Sequence, residues 1–425
     1  MAASSSSRDT INVAMMGTGE YTTGYVHGSQ SASDKKIGVV ALVLFDLRRL
    51  GKIGNLALVG TTGSKFNGIR AHLKSKISDV YGGVDVSCDT YPADDVERDP
   101  VAYKKAIDKL QPGDAITIFT PDNTHFEIAL YAIQHQVHVL LTKPAVKTLH
   151  DHQVLLDEAK KHNVFVMVEF HKRFDPIYHD ARERIRTYGD FGLYQSYMSQ
   201  PKFQLETFRS WAGAGSDISY YLNSHHIDIH CWAMQGIAKP VRLIAMQSNG
   251  VAEGKYNCPA GTEDTITLIT HWQNIASGTM GVATYVASWS APKADVHSQQ
   301  RFFYMGHSGE ITVDQAHRNY AVASDQGGFA SINPLYMAYY PTAEGHFGGQ
   351  HGYGYKSLQH FVDGCIAVNK KKTTPEALDR ALPTLRATTL VTAILEAGRI
   401  SLDNSNRAVK FSYADNGEVS SIQLE

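Results

Sequence analysis

Cysteine is scarce in this chain. Four cysteines in 425 residues stand at 88, 231, 258 and 365, far apart and without a Cys-x-x-Cys pair. That argues against a disulfide framework and against a cysteine zinc site, and it suits buried, reduced thiols in a cytoplasmic protein. Excess charge is also lacking. Forty basic and 42 acidic residues leave a net charge of −2, so there is no basic footprint for nucleic acid and no acidic tail. Long apolar runs are missing too. The best, Ile37 to Phe45, is about half a membrane span and runs into Asp46, Arg48 and Arg49, so no membrane segment is expected. The opening MAASSSSRD has neither a basic n-region nor an apolar core. It reads as a disordered leader over residues 1–9, and the terminal SSIQLE is not a targeting signal. Histidine is abundant, at 20 residues. However, His171, His179, His225, His226 and His230 have no ligand-like spacing, and no metal is expected.

What is present is strand–helix alternation. Short unbroken apolar runs at Ile11–Met16, Asn55–Gly60, Val84–Cys88, Ala115–Phe119, Val137–Leu141 and Val164–Glu169 read as strands buried on both faces. Helical spacing recurs between them at Val101–Leu110, His125–Gln134 and Asp151–His162. This predicts a doubly wound parallel α/β sheet with right-handed crossovers over residues 1–172. Beyond about Phe170 a helix at Pro176–Tyr188 leads into alternating segments: Leu193–Ser199, Val241–Gln247, Thr265–Trp272, Gly278–Ser288, Phe302–Met305 and Glu310–Val313. These predict an α+β domain over residues 173–425, with a large, mostly antiparallel open sheet. Helices at Ser357–Val368 and Pro375–Asn404 close the chain, the second broken at Pro383. No linker separates the two domains, which suits a cleft between them.

The first strand ends in Gly17-Thr18-Gly19-Glu20-Tyr21. Glycines there let backbone amides approach a pyrophosphate, and a helix N-terminus favours the anion. Gly-x-Gly alone is weak, because about three such triplets are expected by chance in this composition. Its place after the first buried strand gives it weight. The third fingerprint position is Thr22, with Gly24 two residues late, so the helix must pack differently on its strand. After the second strand comes Gly60-Thr61-Thr62-Gly63-Ser64-Lys65, with no carboxylate to hold a ribose 2′-hydroxyl. Thr62, Ser64 and Lys65 instead suit a 2′-phosphate, and the reading leans to NADP over NAD. Lys65 equally suits the start of a solvated helix. Thr120-Pro121-Asp122-Asn123-Thr124-His125 and Thr142-Lys143-Pro144 stand at the ends of the fourth and fifth strands, where open α/β sheets bind ligands. Thr120, Pro121, Asn123 and His125 are therefore candidate cofactor contacts. Lys143, fixed at a strand end, can donate to a substrate oxygen.

The phosphate loop, the TPDNTHFEIALYAIQHQVHVLLTKP stretch and His171–Pro176 (HKRFDP) together resemble the glucose–fructose oxidoreductase/inositol dehydrogenase/rhizopine catabolism (Gfo/Idh/MocA) family. The resemblance covers most of the chain and is tightest in the N-terminal half. It implies a Rossmann domain, a second domain whose open sheet binds substrate on one face and often a partner subunit on the other, and nicotinamide chemistry on sugars or polyols. A homodimer or homotetramer through that sheet is the expected assembly. The family's Glu-Lys-Pro becomes Thr142-Lys143-Pro144 here. Its Asp-x-x-x-His-x-x-Asp becomes Tyr221-Leu222-Asn223-Ser224-His225-His226-Ile227-Asp228. The resemblance thus implies His225 as the acid–base residue beside Lys143 and Asp228 as the following acid, with Asn223 and Asp228 as substrate contacts. His226 is read as a packing residue. Tyr221 replaces a carboxylate, and we expect it on the substrate side of its helix, its phenol donating to His225 or to substrate.

Lys172 and Arg173 stand where the chain crosses between domains and suit substrate hydroxyls or a carboxylate; a domain-bridging Arg173 is equally consistent. His346–Tyr355 (HFGGQHGYGY) reads as a sugar-contacting loop or as a surface Ω-loop. The reading is an NAD(P)-dependent oxidoreductase of a carbohydrate-like molecule. Two rivals stand beside it: a cofactor-binding regulator without turnover, and a redox-assisted lyase or glycosidase.

Overall fold

The computed structural model describes residues 9–31 and 35–425. The expected leader lies outside the described residues except for Asp9. Six parallel strands form the first sheet, in the spatial order Asp89–Tyr91, Ile53–Val59, Ile11–Met16, Ala115–Ile118, His138–Thr142, Val166–Glu169. This is the 3-2-1-4-5-6 order of a Rossmann domain, whose carboxyl ends open at the switch point between the first and fourth strands.

One strand departs from expectation. Val84–Cys88 is irregular, and the strand begins only at Asp89. The cause is Arg48, whose guanidinium takes the carbonyls of Asp85 and Ser87 and so occupies groups a ladder would need. The apolar run before Asp46 is also explained. Val40–Arg49 is a helix, and Val39 through Phe45 are all at most 1% exposed. A helix apolar all round belongs in a core. It packs between the sheet and a late helix, Tyr353–Asn369. Among the described residues, no helix is long and apolar enough to cross a membrane.

The second sheet has eight strands, in the order Gly309–Asp314, Gln299–Gly306, Phe191–Pro201, Met280–Ala291, Glu263–Asn274, Ala238–Asn249, Val409–Tyr413, Val419–Leu424. Every neighbouring pair is antiparallel except Phe191–Pro201 with Met280–Ala291. The sheet is therefore mixed and mostly antiparallel, as expected. The final hairpin was not anticipated: the chain closes on two strands, not on a helix. Its signal was the alternation of Val409, Phe411 and Tyr413 before Asn416-Gly417. The long helical stretch before it splits around Pro383 into a 3-10 turn, Glu376–Arg380, and a helix, Leu385–Asp403. Thr384 caps that helix, its hydroxyl accepting from the Ala387 amide at 3.2 Å.

One face of the second sheet packs on the wholly buried helix Ser224–Met234 and on Leu385–Asp403. The other face carries Met246, Ile269, Met280, Val282 and Met305, each 38–55% exposed. The chain then returns to the first domain. Tyr355, Leu358, Phe361 and Cys365 of the late helix share a core with Ile11, Val13 and Phe165, and Phe361 stacks on Phe165 at 5.8 Å. Phe361→Ala should therefore destabilise the nucleotide-binding half by about 3–5 kcal/mol, read as a fall in the urea midpoint with an unchanged slope.

Candidate functional site

The site grows from the ends of the first-sheet strands. Gly17 has φ +103°, and a Cβ there would stand 2.2 Å from the Phe119 carbonyl oxygen. Only glycine fits this position. Gly17 N–H donates to Val59 O and Phe119 N–H to Met16 O, both at 2.8 Å, which seats the loop across three strand ends. A Cβ on Gly19 would meet nothing within 4 Å, so the space above the loop is open. Among the described residues, no hydrogen bond occupies the amides of Thr18, Gly19, Glu20 or Tyr21. Free amides at a helix N-terminus form an anion cradle that fits a pyrophosphate. The Glu20 carboxylate does not obstruct it, because it takes the Ser31 hydroxyl.

The expected continuous helix after this loop is one turn, Glu20–Thr23. Gly24, at φ +73°, ends it, and a Cβ there would collide with Lys36 O and Gly38 N. The chain leaves at Gly24, returns at Gly38, and resumes as the helix Val40–Arg49. Gly24 is thus a crossing point and not the third fingerprint glycine. Thr22 and Thr23 are buried, and the Thr23 hydroxyl ties back to Thr18 O at 3.1 Å.

On the adenosine side, Thr62 is half-buried while Ser64 and Lys65 are exposed. Arg70 holds Asp94 with two hydrogen bonds, 2.6 and 2.8 Å, which occupies both charges. At the fourth strand end, Thr120 and Thr124 pair through their hydroxyls at 2.7 Å. Pro121 and Asn123 are exposed. His125 does not face a cofactor. It is wholly buried, with one ring nitrogen 3.0 Å from Pro144 O and the other 2.9 Å from Thr120 O. Its ring staples the two strand-end loops together.

Lys143 reaches across to the second domain. Its ammonium donates to the Tyr221 carbonyl and lies 4.2 Å over the Tyr221 ring. Burial lowers its pKa to about 8. The carbonyl is available because Ser219–Asn223 is a π-helical turn ahead of the helix Ser224–Met234. The Tyr221 ring packs edge-on against Phe208 and Trp211, at 5.4 and 5.3 Å. The rings against His225 are Phe170 and His171, at 6.5 and 5.3 Å. Tyr221 therefore meets the site through its carbonyl and ring face, beneath Lys143. His225 is 6% exposed and its Nδ1 has no partner. Burial, and then the charges of Lys143, Lys172 and His171, hold its pKa well below the ordinary imidazole value. Asn223 Nδ2 donates to the Ser219 hydroxyl at 3.0 Å, and its Oδ1 is buried and unpartnered. His226 is a packing residue, 3.0 Å from the Tyr178 hydroxyl.

The substrate candidates divide. Lys172 donates to Gln300 Oε1 at the cleft, and burial lowers its pKa to about 7. Arg173 and Asp228 are not substrate groups. They hold each other in a buried two-point pair, Nε to Oδ2 at 2.9 Å and Nη2 to Oδ1 at 2.5 Å. A planar guanidinium fork on a carboxylate leaves neither partner free. The segment His346–Tyr355 also divides: Phe347 packs on Tyr81, while the Tyr353 ring stacks on His171 at 5.7 Å. Sequence reasoning missed Glu169, His171 and Tyr336. Glu169 ends a strand and His171 follows two residues on, which was a usable signal; Tyr336 lies in a long irregular segment that carried none.

Comparison with known proteins adds a likeness to this geometry. Residues 11–170 match the GFO_IDH_MocA family, described as an oxidoreductase family with an NAD-binding Rossmann fold. The match covers the first sheet and stops short of the second domain. Among curated relatives, scyllo-inositol 2-dehydrogenase (NAD(+)) of Bacillus subtilis is 35% identical over 72 residues, 17% of this chain and 21% of that one. Myo-inositol 2-dehydrogenase of Thermotoga maritima is 22% identical over 224 residues, 53% and 63% of the two chains. These matches span from about a fifth to under two thirds of those relatives' length. Among solved structures, scyllo-inositol dehydrogenase of Lactobacillus casei with bound NAD(H) and scyllo-inositol is 16% identical, with a TM-score of 0.62 over 94% of this chain and 99% of that one. The myo-inositol 2-dehydrogenase of Lactobacillus plantarum gives 18% and 0.63 over the same shares. The fold of these solved dehydrogenases thus runs through both halves of the chain.

The Arg173–Asp228 pair yields a stability test. Asp228→Ala leaves a buried guanidinium unpaired and should cost about 3–5 kcal/mol in chemical denaturation. Arg173→Met with Asp228→Leu should recover much of that loss, because neither charge is then stranded.

Proposed function

We propose that this chain is a nicotinamide-dependent dehydrogenase acting on a secondary alcohol of a cyclic polyol or sugar. The observation that carries the reading is convergence. The amide cradle at Thr18–Tyr21, Lys143 and Lys172 follow strands of one sheet at its carboxyl edge, and the Tyr221–His225 segment of the second domain meets Lys143 there through the Tyr221 carbonyl. Unpartnered His225 Nδ1 and Asn223 Oδ1 supply polar atoms that a polyol hydroxyl would satisfy. The family and the names of its relatives, both inositol dehydrogenases, support the same class. The bound nicotinamide would supply hydride exchange at C4. Gly17 to Tyr21 would hold its pyrophosphate, and Lys143 would donate to the reacting oxygen and favour its negative charge. Exposed Ser64 and Lys65 and the missing carboxylate support NADP over NAD. The apolar outer face of the second sheet supports a homodimer or homotetramer, and the unpaired thiols support a cytoplasmic setting.

The experiment is an absorbance assay with both nucleotides against inositols, sugars and uronic acids. Net nucleotide reduction supports the dehydrogenase; product without net change identifies the redox-assisted lyase. Lys143→Ala should cost about 100-fold in turnover, the scale of one preorganised donor, with nucleotide affinity little altered. Lys143 is charged below its pKa of about 8. Carbonyl reduction should therefore fall as pH rises through about 8, checked in a kcat/KM profile.

Fluorescence titration should show NADPH binding more tightly than NADH, and Lys65→Ala should narrow the difference. Tighter NADH binding would reverse the 2′-phosphate reading.

A further inference from the structure

The residues named so far leave the proton without a suitable carrier. Tyr221, one turn before His225, brings no carboxylate to it, and Lys143 and Lys172 surround it with positive charge. A base that must accept a proton is badly placed there, since an imidazolium would form among cations. Lys143 donates to Tyr221 O and Lys172 to Gln300.

Next to His225 stands a different arrangement. The chain leaves the sixth strand as Glu169-Phe170-His171. Glu169 is 2% exposed, and its Oε2 lies 3.0 Å from His171 Nδ1. A carboxylate only accepts, so Nδ1 carries the hydrogen and Nε2 keeps the lone pair. Among the described residues, Nε2 takes no hydrogen bond, and the side chain is 14% exposed. The second carboxylate oxygen is also held. Tyr21 donates to Oε1 at 3.5 Å, and Tyr336 donates to the Tyr21 hydroxyl at 2.7 Å. Burial keeps both phenols neutral, raising their pKa values well above the ordinary one. The His171 ring is gripped by His225 at 5.3 Å, Tyr336 at 5.4 Å and Tyr353 at 5.7 Å. An imidazole so oriented, with a carboxylate behind one nitrogen and an open lone pair on the other, is the arrangement of a general base.

We propose that His171, oriented by Glu169, is the proton acceptor for the reacting hydroxyl, in place of His225. This rests on the dehydrogenase reading above and deepens it. In oxidation the substrate C–H bond breaks and its electron pair leaves as hydride to the oxidised nicotinamide. The O–H bond breaks, its proton passes to His171 Nε2, and the C=O bond forms. The new imidazolium is neutralised by Glu169. Reduction runs the same steps backwards. Tyr21 and Tyr336 are positioning residues: they hold the carboxylate. Tyr21 joins the dyad to the phosphate loop, since its amide belongs to the cradle and its phenol to Glu169. The charged and titratable groups facing His171 are Glu169, His225, Lys143 and Lys172, with the neutral phenols of Tyr336 and Tyr353. Of these, only Glu169 favours the imidazolium.

The test has two readouts. In the pH profile of oxidation, His171→Gln should lower kcat/KM by roughly 100- to 10,000-fold and remove the acid limb. Glu169→Gln, which keeps the shape and removes the charge, should lower kcat with KM little changed, because an amide no longer holds the Nδ1–H tautomer as a carboxylate does. Independently, histidine 15N NMR of the protein without nucleotide should show a low-field Nδ1–H for His171. That signal should be lost in Glu169→Gln. Hydride transfer that survives His171→Gln with its acid limb intact overturns the assignment alone. A His171 Nδ1–H signal unchanged by Glu169→Gln overturns the dyad. A wild-type protein that transfers no hydride to either nucleotide, from any polyol or sugar, overturns the dehydrogenase reading and the catalytic use of His171 together.

Discussion

The Arg173–Asp228 pair is the joint on which the cleft depends. Arg173 belongs to the turn that leaves the first sheet, and Asp228 to a helix whose every residue is buried. A two-point pair at 2.9 and 2.5 Å, sealed from water, sets both position and rotation between those elements. A turn of the buried helix would move His225 and strand the charge of Asp228 together, and stranding a buried charge costs several kcal/mol. The geometry around His225 is therefore held by an interaction that takes no part in the chemistry. The same helix shows how polar residues survive in a core. His226 takes the Tyr178 hydroxyl and His230 the Tyr285 hydroxyl, each through one ring nitrogen, while the second nitrogen of each and Nδ1 of His225 are buried without a partner.

The cleft is short of negative charge. Lys143 and Lys172 face it, and Arg318 and Arg173 lie behind, with Asp175 and Asp228 committed to those two arginines. Asp122 supports the charged form of Lys143, Asp175 that of Lys172, and Glu169 that of both. Burial nevertheless wins, and both lysines titrate well below their ordinary value. This balance suits a reaction in which a hydroxyl loses its proton: the lysines favour an oxyanion, and Glu169 is held against an imidazole.

Legibility in the sequence followed locality. The parallel sheet was readable because its strands are short, apolar and separated by helical spacing, and Gly17 because a loop at a first strand end needs one. Val84–Cys88 misled because the competitor for its backbone was Arg48, some forty residues earlier. The hairpin Val409–Tyr413 with Val419–Leu424 was overlooked although alternation and Asn416-Gly417 were both present. In the site, the place of Lys143 just past a strand end was readable from position alone. Asp228 looked like a substrate group, and Arg173 like either a substrate group or a bridge between domains, because a motif places residues without showing what each one pairs with. The insertion between Gly24 and Gly38 was hidden for the same reason, since two glycines fourteen residues apart meet only in three dimensions.

The segment from Gln315 to Tyr355 ties these parts together. It starts at the second sheet, where the Gln315 side chain bridges Asp175 and the Tyr353 hydroxyl at 2.9 and 2.7 Å. It ends against the first domain, where Tyr81 donates to Tyr339 O at 2.8 Å and Tyr355 to Asp46 at 2.7 Å. Between these anchors it presents Tyr336 and Tyr353 to His171. The wall of the cleft is thus clamped to both halves of the molecule. An exposed Ω-loop would pay ordering entropy on binding substrate; a wall anchored at both ends has lost that freedom on folding. Anchoring so much aromatic surface around one imidazole makes sense where that ring must keep one orientation through every turnover.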